Sequence, residues 1–214
     1  SSFDGVRREI AKVSLERLIA DGRFQPAKIE EIVEKTKADT ERLISQTGEK
    51  LAQECGVIGL PKEIIALLGR FKYRTSYGQN LIAHTLEIVK LCENMAQELK
   101  ADVKLSKTAG LLHDLGKVLV EDMEGPHAQI TRQVLEKYRF DEKLVNAAAA
   151  HHEEEPFKSV EAVIVHIADA ISGARPGARV ENYAAYYERL RELEAVAKSF
   201  SGVSVDSFVK RITF

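Results

Sequence analysis

Histidine occurs six times in this sequence, at positions 84, 113, 127, 151, 152 and 166, and two of its neighbourhoods are unusual. His113 is followed by Asp114 and His151 by His152, and the first pair closes an apolar stretch, Ala109-Gly110-Leu111-Leu112. A carboxylate buried at such a place needs a partner, because an unpaired buried charge is costly. A divalent cation is the partner that also recruits several imidazoles. Imidazole nitrogen with carboxylate oxygen suits Zn, Mn, Fe, Ni or Co, and does not suit a calcium site. One histidine on a helix is most often a packed or surface residue, and a His-Asp dipeptide arises readily by chance. The ordered series is what carries weight: His84, then His113-Asp114, then His127, then His151-His152, then Asp169 inside an apolar helix. His166 lies one turn before Asp169 and reads as a packing or supporting residue.

The elements that hold this series read as helical almost throughout, so the expected fold class is all-α. Val6, Ile10, Val13 and Leu18 place an apolar stripe on residues 5–21, which end at Asp21-Gly22. Pro26 opens a second helix in which Ile29, Val33, Thr36, Thr40, Leu43 and Thr47 follow a 3-4 spacing. Half of that stripe is threonine, so it is a weak seam, suited to packing on a partner helix and not to a long coiled coil. A homodimer is the expectation it raises. Gly56, Gly59 and Pro61 mark a break. Three parts are therefore expected: an N-terminal helical segment over 1–58, a main domain over 59–203, and a tail over 204–214 that reads as a strand. Within the main domain, helices are expected over 62–68, 80–99, 105–118, 126–138, 142–151, 159–171 and 181–200, with a polar loop over 70–80.

Composition sets outer bounds. With 214 residues and 44% hydrophobic content, the chain can bury a proper core. Its net charge of -2 excludes a globally basic nucleic-acid binder but leaves room for local basic patches. Cys55 and Cys92 are far apart, which fits a reducing compartment and not a disulfide scaffold. No apolar run approaches the roughly 20 residues of a membrane span, and no signal peptide is visible. The sequence opens at Ser1-Ser2 without a Met, as expected of a piece of a longer protein.

His84, His113-Asp114-Leu115-Gly116-Lys117 and Asp169 resemble the H…HD…D signature of the HD superfamily of metal-dependent phosphohydrolases. The variant is the one written HD-I-G, with Leu in third place. His127, His151 and His152 resemble the additional ligands of its two-metal members, which include cyclic-dinucleotide phosphodiesterases. A narrower resemblance lies in Lys72-Tyr73-Arg74-Thr75-Ser76-Tyr77-Gly78-Gln79-Asn80 and in Ala168-Asp169-Ala170-Ile171-Ser172-Gly173-Ala174-Arg175-Pro176-Gly177-Ala178-Arg179. Both stretches, with Ser2-Phe3-Asp4 and Arg7-Arg8-Glu9-Ile10-Ala11, are similar to the bacterial ribonuclease Y family. The similarity runs from residue 1 to about 203, and the final residues 204–214 depart from it.

The resemblance implies an HD-domain helical bundle with an N-terminal helical extension. It implies an endoribonuclease of mRNA decay that acts on single-stranded RNA with one or two divalent ions (Mn, Mg, Fe, Ni or Zn). Members of the family carry a membrane anchor, a coiled coil and a KH RNA-binding domain ahead of the HD domain. This chain would begin at the end of KH. The whole protein would sit at the cytoplasmic face of the membrane, and this chain alone would be soluble. Asp114 would bridge two ions, since a carboxylate has two oxygens and an imidazole one metal-facing nitrogen. His84, His113 and Asp169 would complete one site, and His127, His151 and His152 the other. Asp114 and Lys117 would be catalytic. Arg70, Lys72 and Arg74 interleave with Phe71 and Tyr73, a pattern of phosphate contacts and stacking faces. Arg175 and Arg179 would join them in holding RNA. Against this stands the acidic turn Glu153-Glu154-Glu155, which would repel RNA. Two alternatives stay open. One is a phosphodiesterase for cyclic nucleotides or other small phosphoesters, although Gly116-Lys117 leads into Val118-Leu119-Val120 and not into Gly-Tyr-Pro. The other is a structural assembly module of an RNA-degrading complex.

Overall fold

A computed structural model describes residues 4–76 and 79–174. Arg175, Arg179, the helix expected over 181–200 and the tail 204–214 lie outside the described residues. The all-α expectation is borne out.

Helix α1 (Gly5–Asp21) starts under the Asp4 carboxylate, which accepts the Val6 N–H at 2.8 Å. It stops at Gly22, whose φ of 73° suits a residue without a Cβ. Helix α2 (Pro26–Glu54) begins at its proline, and α3 (Lys62–Arg70) follows the Gly56–Pro61 break. The segment expected as a loop over 70–80 is more ordered than that. It holds a 3-10 turn (Phe71–Tyr73) and a two-residue antiparallel ladder, β1 (Thr75–Ser76) with β2 (Gln79–Asn80), in which Thr75 faces Asn80. The Asn80 side chain then caps α4 (Leu81–Glu98) by accepting the Ile82 N–H at 3.0 Å.

Helix α5 (Val103–Leu112) is shorter than the expected 105–118 run, because it breaks at His113 and resumes as a 3-10 turn, Leu115–Val118. Helices α6 (His127–Lys137) and α7 (Glu142–Ala149) follow, the latter passing into a 3-10 turn at Ala150–His152. Helix α8 (Val160–Ala174) closes the described chain. Its partners are α4, α5 and α7, and Leu81, Ile88, Leu111, Leu112 and Ile164 are fully buried among these elements.

The buried face of α2 differs from the expected stripe. It is Ile32, Thr36, Thr40, Ile44, Gly48 and Leu51, a straight run at a spacing of about four, while Ile29 and Leu43 are exposed. Thr36 and Thr40 tolerate burial because each hydroxyl donates to the carbonyl four residues back, at 2.8 and 2.7 Å. This face closes on α1 and α3 of the same chain. At the α2–α3 crossing a Cβ on Gly48 would stand 1.9 Å from the Ile65 carbonyl oxygen, and one on Gly69 would stand 1.9 Å from that of Ile44. Two glycines thus let the backbones meet. Leu51, Ala52, Cys55 and Val57 share one core with Ile64, Leu68 and the helices that follow.

Candidate metal centre

Histidine and carboxylate side chains from five places in the fold converge on one buried point. His84 and Asp169 come from helix interiors, α4 and α8. His113 and Asp114 stand where α5 breaks. The break is held by Thr131 of α6, whose hydroxyl accepts the Gly116 N–H at 2.9 Å and donates to the His113 carbonyl at 3.1 Å. His127 is the first residue of α6, and its backbone lies against Gly116 so closely that a Cβ there would stand 1.9 Å from the His127 carbonyl oxygen. His151 and His152 come from the 3-10 turn after α7.

Two groups result, each with its ligand atoms within 4.8 Å of one another: His84, His113 and Asp169, and His127, His151 and His152. Asp114 lies between them and is fully buried. Its Oδ2 is 3.6 Å from His84 Nε2 and 3.3 Å from His113 Nε2, and its Oδ1 is 3.6 Å from His127 Nε2 and 3.8 Å from His151 Nε2. Asp169 Oδ1 lies 3.2 Å from His84 Nε2. In the second group His127 Nε2 is 3.3 Å from that of His151 and 3.0 Å from that of His152.

Such spacings suit a cation. Bare imidazole lone pairs repel one another at these separations, and a positive charge among them removes the conflict. His113 Nε2 and Asp114 Oδ1 are buried and have no hydrogen-bond partner; buried polar atoms are otherwise almost always satisfied. The ring orientations agree. His113 Nδ1 lies 2.7 Å from the Gly110 carbonyl and His151 Nδ1 lies 2.7 Å from that of Ala148. A carbonyl only accepts, so both rings carry their proton on Nδ1 and turn a bare Nε2 inward. Both groups therefore fit a divalent ion, with nitrogen and oxygen donors only.

The electrostatics prepare the donors. Burial pushes His127 down to about 4, and it lowers His151 and His152 as well, with the charge of His113 adding to the effect on His151. Burial alone would raise the two aspartates. His113 outweighs it at Asp114, and His84, 3.2 Å away, together with the charge of His113 outweighs it at Asp169, so both carboxyls end below their usual range. His113 is the exception: there burial is overcome in turn by Asp114 and its pKa is raised, so an ion bound at its Nε2 has to displace a proton. Neutral imidazoles and ionised carboxylates are the forms that bind metals.

Other residues fall into place around this point. Lys117 Nζ donates to Asp114 Oδ2 at 2.7 Å, so its charge rests on the shared carboxylate. His166 Nδ1 lies 2.8 Å from the His151 carbonyl and supports that turn from outside the two groups. Arg132 grips Glu155 at 2.6 Å together with Glu136 and Glu142, which ties down and partly neutralises the acidic turn. Of the expected RNA-holding residues, Arg70 lies 3.9 Å from both Asp4 and Asp122, Arg74 lies 3.6 Å from Glu121, and Lys72 is exposed beside the Tyr73 ring. Arg70 and Arg74 line one depression with Lys117. Phe71 is fully buried and is no stacking face, because it fills the core beneath the 3-10 turn.

The HD domain family model matches residues 81–174, the span from α4 through α8 that carries every candidate ligand of both groups. This stretch is similar to HD domains. The whole chain has closely similar relatives. It is 53% identical over 203 residues to "Ribonuclease Y" of Clostridium tetani (strain Massachusetts / E88), covering 95% of this chain and 39% of that protein. It is 51% identical to "Ribonuclease Y" of Desulforamulus reducens and 49% identical to that of Fusobacterium nucleatum, covering 95% of this chain and 40% of each relative. The chain thus spans about two fifths of the length of the curated relatives it matches. No solved structure matches it. Among the described residues no helix is long and apolar enough to cross a membrane.

Ser172 and Glu87 also belong to the centre, and reading the series of ligands did not single them out. His84 Nδ1 is 3.0 Å from Ser172 Oγ, which donates to Glu87 Oε2 at 2.7 Å. The available signal was their position, each one turn along its helix from a ligand: Glu87 from His84 and Ser172 from Asp169.

Proposed function

We propose that this chain is the HD part of a ribonuclease Y-like endoribonuclease that hydrolyses phosphodiester bonds of single-stranded RNA, in mRNA decay. The observation that carries this reading is Asp114, one oxygen turned to each ligand group. In it, His84, His113, Asp169 and Asp114 Oδ2 hold one divalent ion, and His127, His151, His152 and Asp114 Oδ1 hold a second (Mn, Mg, Fe, Ni or Zn). Such ions lower the pKa of a bound water and neutralise phosphoryl oxygens. Lys117 orients Asp114 and lies beside the reacting phosphate. Arg70 and Arg74 bind flanking phosphates along the depression that reaches Lys117, together with the exposed Lys72 and joined by Arg175 and Arg179 from beyond the described residues. Their acidic partners Asp122 and Glu121 would yield to phosphates. The chain divides as 1–58, 59–203 and 204–214, with a KH domain and a membrane anchor ahead of it in the full-length protein. Leu15, Ile19 and Phe24, each more than half exposed at one end of the α1–α2 pair, supply an apolar face for a homodimer.

Replacing Asp114 by Ala tests the assignment. RNA hydrolysis in Mn-supplemented buffer should fall by about 10²–10⁴-fold, the scale of one such electrostatic group. RNA affinity should change far less, because the phosphate contacts remain. Near-parental cleavage by the variant would sink the reading, and turnover of a cyclic dinucleotide in preference to RNA would redirect it to the small-substrate class.

A further inference from the structure

The histidines of the centre are oriented by different means. His113 and His151 each rest Nδ1 on the carbonyl three residues back, in the helix that precedes them. His84 has no such support. Its Nδ1 meets the Ser172 hydroxyl, a group that can either donate or accept, so Ser172 by itself does not decide which ring nitrogen carries the proton. Glu87 decides it. An ionised carboxylate only accepts, so at 2.7 Å the Ser172 O–H points at Glu87 Oε2. Ser172 Oγ must then accept from His84 Nδ1–H. In the neutral ring His84 Nε2 then keeps its lone pair, and that nitrogen lies 3.2 Å from Asp169 Oδ1 and 3.6 Å from Asp114 Oδ2. Ser172 is fully buried and His84 is 6% exposed, so water does not compete along this line. At its far end Gln79 of β2 donates to the same Glu87 oxygen at 3.4 Å.

We infer that Glu87 and Ser172 are positioning residues that fix the tautomer of His84 and thereby make it a metal ligand. The opposite tautomer would keep a proton on Nε2, donate it in a hydrogen bond to Asp169, and block the ligand position. The relay also ties α4 to α8, the helices that bring His84 and Asp169 together. It rests on the metal-centre reading above.

Glu87→Gln keeps the shape and reverses the hydrogen bonds. Its amide can donate to Ser172 Oγ, whose hydroxyl then donates to His84 Nδ1, and the ring shifts its proton to Nε2. Long-range ¹H–¹⁵N spectra of histidine-labelled, metal-free protein read this directly. The parent should show His84 protonated on Nδ1 and Glu87→Gln on Nε2, while His113 and His151 keep their state. Mn²⁺ titration followed by electron paramagnetic resonance should show affinity at one site 10–100-fold weaker in Glu87→Gln and Ser172→Ala, the usual cost of removing an outer-shell partner of a ligand. Ser172→Thr should restore it, since the hydroxyl returns. Melting in EDTA separates loss of the relay from loss of fold. The same His84 tautomer in parent and Glu87→Gln would overturn the proposal, as would Mn²⁺ affinities within threefold of one another. A parent that bound no Mn²⁺ would instead refute the metal reading, and the tautomer comparison would still decide the relay.

Discussion

Gly116 offers the sharpest test of how the two ligand groups are held together. A Cβ added there would stand 1.9 Å from the His127 carbonyl oxygen, 2.7 Å from its carbon and 2.9 Å from its Cα, and all three are backbone atoms that cannot swing aside. Ordinary contact begins at 3.4 Å, so the 3-10 turn and the start of α6 must separate by about 3.4 − 1.9 = 1.5 Å. The same gap separates Asp114 from His127, whose Oδ1 and Nε2 are now 3.6 Å apart. Adding a comparable displacement brings them to roughly 5 Å, more than one ion with bonds near 2.1 Å can span. Gly116→Ala should therefore lose the ion of the His127, His151 and His152 group and keep that of the His84, His113 and Asp169 group. Stability should fall by about 1–3 kcal/mol, as for other overpacked sites, and the Thr131 bond to the Gly116 N–H should weaken with it. RNA hydrolysis should drop by about 10²-fold, the cost of misplacing a reacting group by an ångström. Mn²⁺ stoichiometry by titration calorimetry, with melting in EDTA, measures both effects. A variant that bound two ions at parental affinity would refute the argument, because the steric shift would then have been absorbed without moving Asp114 from His127.

Three further expectations follow from individual residues. His127→Ala should lower Mn²⁺ stoichiometry by one and leave the other ion bound; unchanged stoichiometry and activity would remove the second site. Arg74→Ala should weaken RNA binding and reduce the salt slope by about one phosphate contact with the metals retained, whereas a lowered melting point with an unchanged slope would make its pairing with Glu121 purely structural. Glu161 accepts the Asp102 N–H at 3.0 Å and pairs with Lys143 at 3.1 Å, and although burial opposes its charge these contacts bring its pKa down to about 2. The stability it supplies is therefore complete above about 4.5 and is lost as pH falls through about 2. Glu161→Ala should cost on the order of 2 kcal/mol at pH 7 and less at pH 3, measured by urea unfolding; an equal cost at both pH values would contradict the linkage.

The ligand series was legible because its chemistry is local. Asp114 beside His113 after Leu111-Leu112 announces a buried charge whatever the surrounding fold, and all seven expected metal ligands meet in space. What escaped was set by tertiary contact. The break after Leu112 depends on Thr131, eighteen residues from the His113 carbonyl it receives, so an apolar pattern running through 105–118 gave no sign of it. The α2 stripe was misplaced for a related reason. Periodicity weighed Ile29, Val33 and Leu43 as apolar, yet the burying face contains Gly48, which a hydrophobic count ignores and which, with Gly69 opposite, lets α2 approach α3. Phe71 looked like a stacking face because interleaved cations and aromatics share one sequence pattern whether the ring points to RNA or into a core.

The same contrast bears on how the centre is built. His84 and Asp169 stand inside long helices whose backbones are committed over several turns. His127, His151 and His152 stand at the start of α6 and in a single 3-10 turn. The second group therefore depends on anchors outside itself, and the structure supplies them one by one. Gly116 seats the His127 backbone, His166 meets the His151 carbonyl, and Arg132 ties Glu155 to α6 just beyond the histidine pair. Asp114 is the element common to both groups, and it belongs to the break between α5 and the following 3-10 turn. A continuous helix would project the side chains of His113, Asp114 and Lys117 at fixed intervals around one axis. Breaking it after Leu112 lets Asp114 turn one oxygen to each group while Lys117 comes back to the same carboxylate. The irregular backbone is thus what allows one carboxylate to face both groups, and Thr131 bonds both freed backbone groups.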